Sequence, residues 1–352
     1  MKTSCPDHAG SRKVAPPCPV FGECGGCQYQ DISYEEELRL KERFLRDVLN
    51  EHLSLDQALW DPLVPSPKQF HYRSRMDIQI LKTLKKEFFL GFSTGGRNRL
   101  VEALQCLIAM EPISRFLPEL KAQATAKLPE KYRVASLVVK TGDDGRVLWG
   151  GIGRRSLHLD EKDYLWTVVR GRKIFYSLDT FFQANLSILP HLIDRIAALG
   201  LLDKETIFLD LYGGVGLFGV SFHDEVKRVV LVEENIHATR LARHNARHHG
   251  MKDLEVFEGA VEDFWRSPAA PNPNGPIVAL IDPPRKGLSE RAAASLIPRE
   301  DIRHLLYLSC NPQALARDIG LFTRGGWAVR RVMPFDFFPR TRHIETLVYL
   351  TR

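Results

Sequence analysis

From Tyr176 onward, short apolar runs alternate with amphipathic helical stretches, and this alternation fixes the fold class as α/β with a doubly wound, mostly parallel sheet. Strands are expected over Thr206 to Tyr212, Val229 to Val232, Leu254 to Phe257, Ile277 to Ile281 and His304 to Ser309. Trp327 to Val332 and Thr346 to Leu350 are expected to close the sheet as a hairpin at its edge. Open sheets of this kind hold ligands at the carboxyl ends of their strands, so the residues ending each strand carry the chemistry.

The first tip is Gly-rich. Gly214-x-Gly216-x-x-Gly219 matches a dinucleotide fingerprint, and Glu233 ends the next strand where a ribose-binding carboxylate belongs. A Cβ-free turn and a carboxylate serve a nicotinamide dinucleotide and S-adenosylmethionine alike. The later tips separate the two. Asp282-Pro283-Pro284-Arg285 ends the fourth strand, Ser309-Cys310-Asn311-Pro312 ends the fifth, and His343-Ile344-Glu345-Thr346 follows. A hydride-transferring enzyme needs none of these. Asp-Pro-Pro also serves methylation of exocyclic amines, but that reading gives Cys310 no task. A lone cysteine is most often a small buried hydrophobe; Cys310 stands out by its company. C5 of uracil is too weak a nucleophile to take a methyl group unaided. A thiolate added at C6 activates C5, and a general base must then remove the C5 proton. Cys310 and Glu345 suit those two roles, and Arg285 could hold a pyrimidine carbonyl.

The N-terminal half has a different texture. Cys18, Cys24 and Cys27 lie within ten residues, with Gly25 and Gly26 between them, and Cys106 is the nearest source of a fourth thiol outside the terminal tail. Four thiolates suit an iron–sulfur cluster or a structural zinc. Ser33 to Leu53 reads as an amphipathic helix opened by a Ser33/Glu36 capping box, with Leu38, Phe44, Leu45, Val48 and Leu49 as its apolar stripe. Asp61 to Pro67 reads as a Pro-rich connector. From Phe70 the pattern becomes short antiparallel strands with turns at Thr94-Gly95-Gly96 and Gly142 to Gly145. The net charge is +6, but it is concentrated in the middle: residues 61–175 hold 21 Lys and Arg against 12 Asp and Glu, and the remainder 28 against 31. Such a middle segment fits a polyanion, with Arg73, Arg75, Arg97 and Arg99 among exposed aromatics as a surface for bases and phosphates. A solvated basic face is the plain alternative. No run is long and apolar enough to span a bilayer and no secretory segment is evident, so a cytoplasmic protein with no membrane association is expected.

These residues resemble the S-adenosylmethionine-dependent RNA 5-methyluridine methyltransferases, in particular the iron–sulfur members acting on 23S ribosomal RNA. The resemblance covers nearly the whole chain after the first fifteen residues. It rests on the Cys18, Cys24, Cys27 and Cys106 set, Phe182-Gln183-x-Asn185, Asp210 to Gly216, Val232-Glu233, Asp282 to Arg285, Ser309 to Pro312, Asp336-x-Phe-Pro339 and His343-x-Glu-Thr346. It implies a Rossmann-like class I methyltransferase fold preceded by a smaller, mainly β, cluster-bearing domain. The expected regions are a disordered tail (1–17), an iron–sulfur and RNA-binding region (18–172) and a methyltransferase domain (173–352). It further implies Cys310 as nucleophile, Glu345 as base, and Gln183, Tyr212, Gly214, Glu233 and Asp282 around S-adenosylmethionine. The four thiols would ligate a [4Fe-4S] cluster. The partner would be RNA, 23S ribosomal RNA first, with no obligate protein partner evident. Methylation of transfer RNA at uridine 54 is the alternative; an RNA 5-methylcytosine enzyme would carry an extra Cys beside the Pro of the fourth-strand motif, absent here. Relatives often read Tyr-Cys-Gly where this chain reads Tyr212-Gly213-Gly214, and many carry an N-terminal β-barrel that this chain is too short to hold.

Overall fold

The computed structural model describes residues 10–94, 97–152, 160–268, 270 and 275–352, with the side chains of 94–99 outside the description. The tail expected to be disordered lies outside the described residues as far as residue 9. Beyond it, Lys13 pairs with Ile32 and the Val14 N–H donates to the Asp31 carbonyl at 2.9 Å.

Helix α1 (Tyr34–Asn50) begins where its cap requires, with Ser33 Oγ accepting from the Glu36 N–H at 3.2 Å. The reciprocal half of the expected capping box is missing, because the Glu36 carboxylate accepts from Ser11 Oγ and pairs with Arg39. The buried face is Tyr34, Glu37, Leu40, Lys41, Phe44, Leu45, Val48 and Leu49, so two charged residues share the stripe and Leu38 sits at its margin.

The middle of the chain forms a five-stranded antiparallel sheet: β1 (Arg75–Lys82), β2 (Phe88–Thr94), β3 (Arg97–Glu102), β4 (Val134–Thr141) and β5 (Val147–Gly150), in the order β3-β2-β1-β4-β5. Alternation sets its faces: Met76, Ile78 and Ile80 point inward while Asp77 is exposed. Helix α2 (Glu111–Lys127) covers the apolar face with Ile113, Leu117, Leu120 and Ala124.

A hairpin of β6 (Leu165–Val169) and β7 (Arg172–Tyr176) leads into the large sheet. Its strands are β8 (Ile207–Leu211), β9 (Arg228–Glu233), β10 (Leu254–Glu258), β11 (Ile277–Ile281), β12 (Ile302–Ser309), β13 (Ala328–Phe335) and β14 (Glu345–Thr351). They are ordered β10-β9-β8-β11-β12-β14-β13, parallel except for β14, which runs antiparallel to both neighbours. The expected Rossmann-like sheet and closing hairpin are therefore present. The order reverses between β8 and β11, the switch point at which such sheets open a crevice. The interleaved helices are α3 (Leu189–Ala197), α4 (Leu217–Phe222), α5 (Ile236–His248), α6 (Val261–Phe264), α7 (Glu290–Leu296) and α8 (Pro312–Arg324).

Helix α1 packs on this sheet rather than on the small one, with Phe44, Leu45 and Leu49 in one core with Leu305, Leu315, Ile319 and Phe322. The Pro-rich connector shields the sheet edge: the Asp61 and Val64 N–H groups donate to Val332 and Pro334 of β13, each at 2.9 Å. Among the described residues no helix is long and apolar enough to cross a membrane.

Candidate active site

At the tip of β8 the chain turns through Tyr212, Gly214 and Gly216, all at positive φ (61°, 54° and 92°). Gly213 cannot carry a side chain, because a Cβ there would stand 2.5 Å from Leu231 Cγ and 2.9 Å from the Asp210 carbonyl oxygen. Where relatives often place Cys, the space here is filled by Leu231. Glu233, at the tip of β9, reaches back across the turn. Its Oε2 accepts from the Gly214 N–H at 3.0 Å and its Oε1 from the Asn235 N–H at 2.8 Å. Asp210 is wholly buried beneath the turn: Oδ2 accepts from the Gly219 N–H at 2.8 Å, while Oδ1 has no hydrogen-bond partner among the described residues. Burial, with Asp282 and Glu233 nearby, pushes its carboxyl up to about 8.

Across the switch point, Asp282 ends β11, and Gln183 Nε2 donates to its Oδ2 at 3.3 Å. Burial raises Asp282 to about 7. The loop bearing Gln183 is pinned from the small sheet: the Ser74 N–H donates to the Ala184 carbonyl at 2.8 Å and Lys140 Nζ to Ser177 at the same distance.

Cys310 follows β12. Asn311 caps α8 through the Gln313 N–H and donates Nδ2 to the Arg285 carbonyl at 2.8 Å, which fastens the Cys310 turn to the Asp-Pro-Pro-Arg turn. Burial pushes the Cys310 thiol up to about 12; Glu345 and Asp282 add to the rise, and the Arg285 guanidinium, by charge and hydrogen bond, opposes it. Glu345 opens β14, 2% exposed, with its carboxyl held well above the usual range by burial and by Asp282, again against Arg285. Cys310, Asp282, Glu345 and Arg285 thus form one electrostatic group at three adjacent strand tips. His343 is driven down to about 4 by burial and the surrounding cations, so it is neutral at physiological pH.

The segment carrying Glu345 is anchored by a buried charge network absent from the sequence reading. Lys41 Nζ lies 2.7 Å from both Glu37 Oε1 and Asp336 Oδ1 and donates to the Phe338 carbonyl at 3.0 Å. Tyr34 Oη donates to Asp336 Oδ2 at 2.8 Å, and the Arg340 N–H to Glu37 Oε1 at 2.7 Å. The visible signal was the spacing of Tyr34, Glu37, Lys41, Phe44 and Val48, which puts both charges on the helix face turned inward. Asp210 was legible as part of a motif but not as a buried acid.

Cys18, Cys24, Cys27 and Cys106 line one cavity of about 270 Å³. Burial raises Cys24, Cys106 and Cys27, the last to about 12, and neighbouring thiols add to each rise. Among the described residues no three His, Cys, Asp or Glu side chains are grouped to hold a metal ion. The expected stacking surface is altered. Tyr72 is 1% exposed, its Oη donating to the Pro339 carbonyl, and Arg75 pairs with Asp77. Arg97 and Arg99 fall among the side chains outside the described residues.

Residues 277–352 match the family described as tRNA (Uracil-5-)-methyltransferase, a stretch that includes Asp282, Arg285, Cys310 and Glu345. An uncharacterized RNA methyltransferase from Thermotoga maritima is 29% identical over 97% of this chain and 85% of its own length. The tRNA (uracil(54)-C(5))-methyltransferase of Schizosaccharomyces pombe is 28% identical over 95% of this chain and 65% of its own. The crystal structure of Pyrococcus abyssi tRNA (uracil-54, C5)-methyltransferase with S-adenosyl-L-homocysteine shares the fold, with a TM-score of 0.71 at 21% identity over 94% of this chain and 86% of that one. With its switch-point crevice and the matched strand tips, the chain is similar to the RNA (uracil-C5) methyltransferases, the family model covering residues 277–352.

Proposed function

We propose that this chain methylates C5 of a uridine in RNA in the cytoplasm, with Cys310 as nucleophile and Glu345 as general base. The observation that carries the proposal is the convergence of Cys310, Glu345, Asp282 and Arg285 at the ends of β12, β14 and β11. Gln183, Tyr212, Gly214, Glu233 and Asp282 would hold S-adenosylmethionine, which supplies an electrophilic methyl group on a sulfonium. Glu233 fits a ribose diol, and the Asp282 carboxyl, raised by burial, fits a partner that donates or is cationic. Cys310 would give its proton to solvent and its sulfur would bond to C6, leaving an enolate whose C5 would take the methyl group as the donor's S–CH3 bond breaks and the pair stays on the donor's sulfur. Glu345, as carboxylate, removes the C5 proton; the S–C6 bond then breaks and the C5–C6 double bond re-forms. Since burial pushes both Cys310 and Glu345 towards their protonated forms, added positive charge beside Arg285 would favour both reactive forms.

We assign 23S ribosomal RNA as the first substrate, on the four-thiol set that the sequence shares with the ribosomal members. Transfer RNA uridine 54 is the second, favoured by the names of the Schizosaccharomyces pombe and Pyrococcus abyssi proteins. Mapping 5-methyluridine in both RNA pools, from cells with and without this gene, decides between them. A site lost from ribosomal RNA supports the first assignment, and one lost from transfer RNA alone replaces it with the second.

We also propose that Cys18, Cys24, Cys27 and Cys106 ligate a [4Fe-4S] cluster. One feature supports it: the four thiols share one cavity of about 270 Å³. Thiols raised by burial and by one another need positive charge among them to ionise together. Iron and sulfide analysis of anaerobically purified protein should return four of each per chain; stoichiometric zinc would refute the assignment.

A further inference from the structure

The end of the small sheet farthest from the crevice carries cations that the methyl-transfer site does not use. β1 starts beside the crevice, one residue after Ser74, whose N–H donates to Ala184. It ends at Lys82, about 23 Å from Arg75 at ~3.3 Å per residue. There the Lys82 N–H donates to the Arg133 carbonyl at 2.7 Å, bringing the β1–β2 turn against the segment that enters β4. Together they present Lys82, Lys85 and Arg133 along a groove of about 690 Å³ that Glu87 also lines, with Lys86 and Lys131 next to these residues in the chain. None of these five forms an ion pair among the described residues; Lys82 lies 5.7 Å over the Phe88 ring and Lys131 5.1 Å over the Tyr132 ring.

Two further features mark the tip. Lys86 has φ +64°, in a turn closed by its N–H donating to Thr83, so a lysine stands where glycine would cost less. Leu84 is 85% exposed and Tyr132 51%, giving aliphatic and aromatic faces among the cations.

We propose that this tip grips the phosphate backbone of an RNA stem flanking the target uridine, as a second contact distant from the crevice. The proposal rests on the reading of the chain as an RNA methyltransferase. An acidic protein would also answer the charge, but protein interfaces are depleted in lysine, whereas phosphate contacts are built from lysine and arginine.

The test is the triple variant Lys85→Glu, Lys86→Glu, Arg133→Glu, assayed on two RNAs with the same target loop, one with a short closing stem and one with an extended stem. On the extended RNA, KM should rise at least about tenfold with kcat unchanged, and the salt dependence of binding should flatten by about two log units per log unit of salt. Kinetics on the short-stem RNA should match the unmutated protein, which also establishes that the variant is folded. A Gln triple at the same positions should shift KM in the same direction by less. Unchanged KM on the extended RNA overturns the proposal. So does an equal loss on both RNAs, and so does a defect seen only with a ribonucleoprotein substrate, which would give the surface to a protein. If the unmutated protein methylates no uridine, the reading of the reaction fails separately, since filter binding of the extended RNA still reports on the tip.

Discussion

The state of Cys310 in the free protein can be measured without substrate. With burial and two neighbouring carboxyls holding its thiol up at about 12, roughly one molecule in ten thousand carries the thiolate at pH 8. An ordinary cysteine near 8.5 is about a quarter ionised at that pH. The rarer thiolate is the stronger nucleophile, which with a Brønsted slope of ~0.4–0.5 recovers roughly 25- to 55-fold. The net expectation is alkylation roughly 40- to 100-fold slower than a free thiol at pH 8. Slow access alone would give the same number, so the slope is the sharper readout. Brief iodoacetamide pulses, with Cys310 followed by peptide mass spectrometry, should show a rate still climbing about tenfold per pH unit from 8 to 10, where a free thiol gains only about fourfold. Arg285→Gln removes a cation that draws the thiol down, so its rate at any one pH should fall. A rate that levels off by pH 9, or an Arg285→Gln protein that reacts faster, would refute this account of the resting site.

Asp210→Asn tests the buried acid under the Gly-rich turn. Its carboxyl is raised in the folded protein, so it favours folding at low pH and the benefit is lost as pH rises from about 4 towards 8. Against the non-titrating variant, the unmutated protein should lose up to about 4 kcal/mol between pH 5 and 8, read by urea denaturation, and a pH-independent difference would contradict it. Glu233→Ala should weaken S-adenosylhomocysteine binding by about 1–3 kcal/mol in calorimetry; unchanged affinity would remove Glu233 from the donor site. Lys41→Met leaves Glu37 and Asp336 buried without their shared cation and should destabilise the fold by roughly 3–5 kcal/mol. A loss under about 1 kcal/mol at pH 8 would mean the network is dispensable.

What the sequence disclosed was what local pattern encodes. Alternation of apolar runs located every strand of the large sheet, and the residues ending those runs, from Tyr212 to Cys310, stand at its tips. Tertiary partnerships left no such trace. Ser33 and Glu36 have capping-box spacing, yet the Glu36 carboxylate turns to Ser11 and Arg39. Tyr72 sits in an alternating, Arg-flanked stretch that reads as a surface, but its hydroxyl finds a carbonyl at Pro339 and the ring is buried. Lys41 looks like a solvated helix charge until Asp336, nearly three hundred residues later, arrives opposite it. The docking of α1 on the large sheet follows from that pairing and from a shared apolar stripe, which a stretch of one helix cannot announce.

The most direct test of the central claim is denaturing electrophoresis and mass spectrometry of the Glu345→Gln protein incubated with S-adenosylmethionine and a uridine-containing loop RNA. The variant keeps Cys310 and the donor site but has no acceptor for the C5 proton, so the reaction should halt after methyl transfer. The expected product is a covalent protein–RNA complex linked through Cys310, bearing one added methyl group, and absent when Cys310→Ala is introduced as well. Normal turnover by Glu345→Gln, or methylation of uridine by Cys310→Ala, would contradict the account.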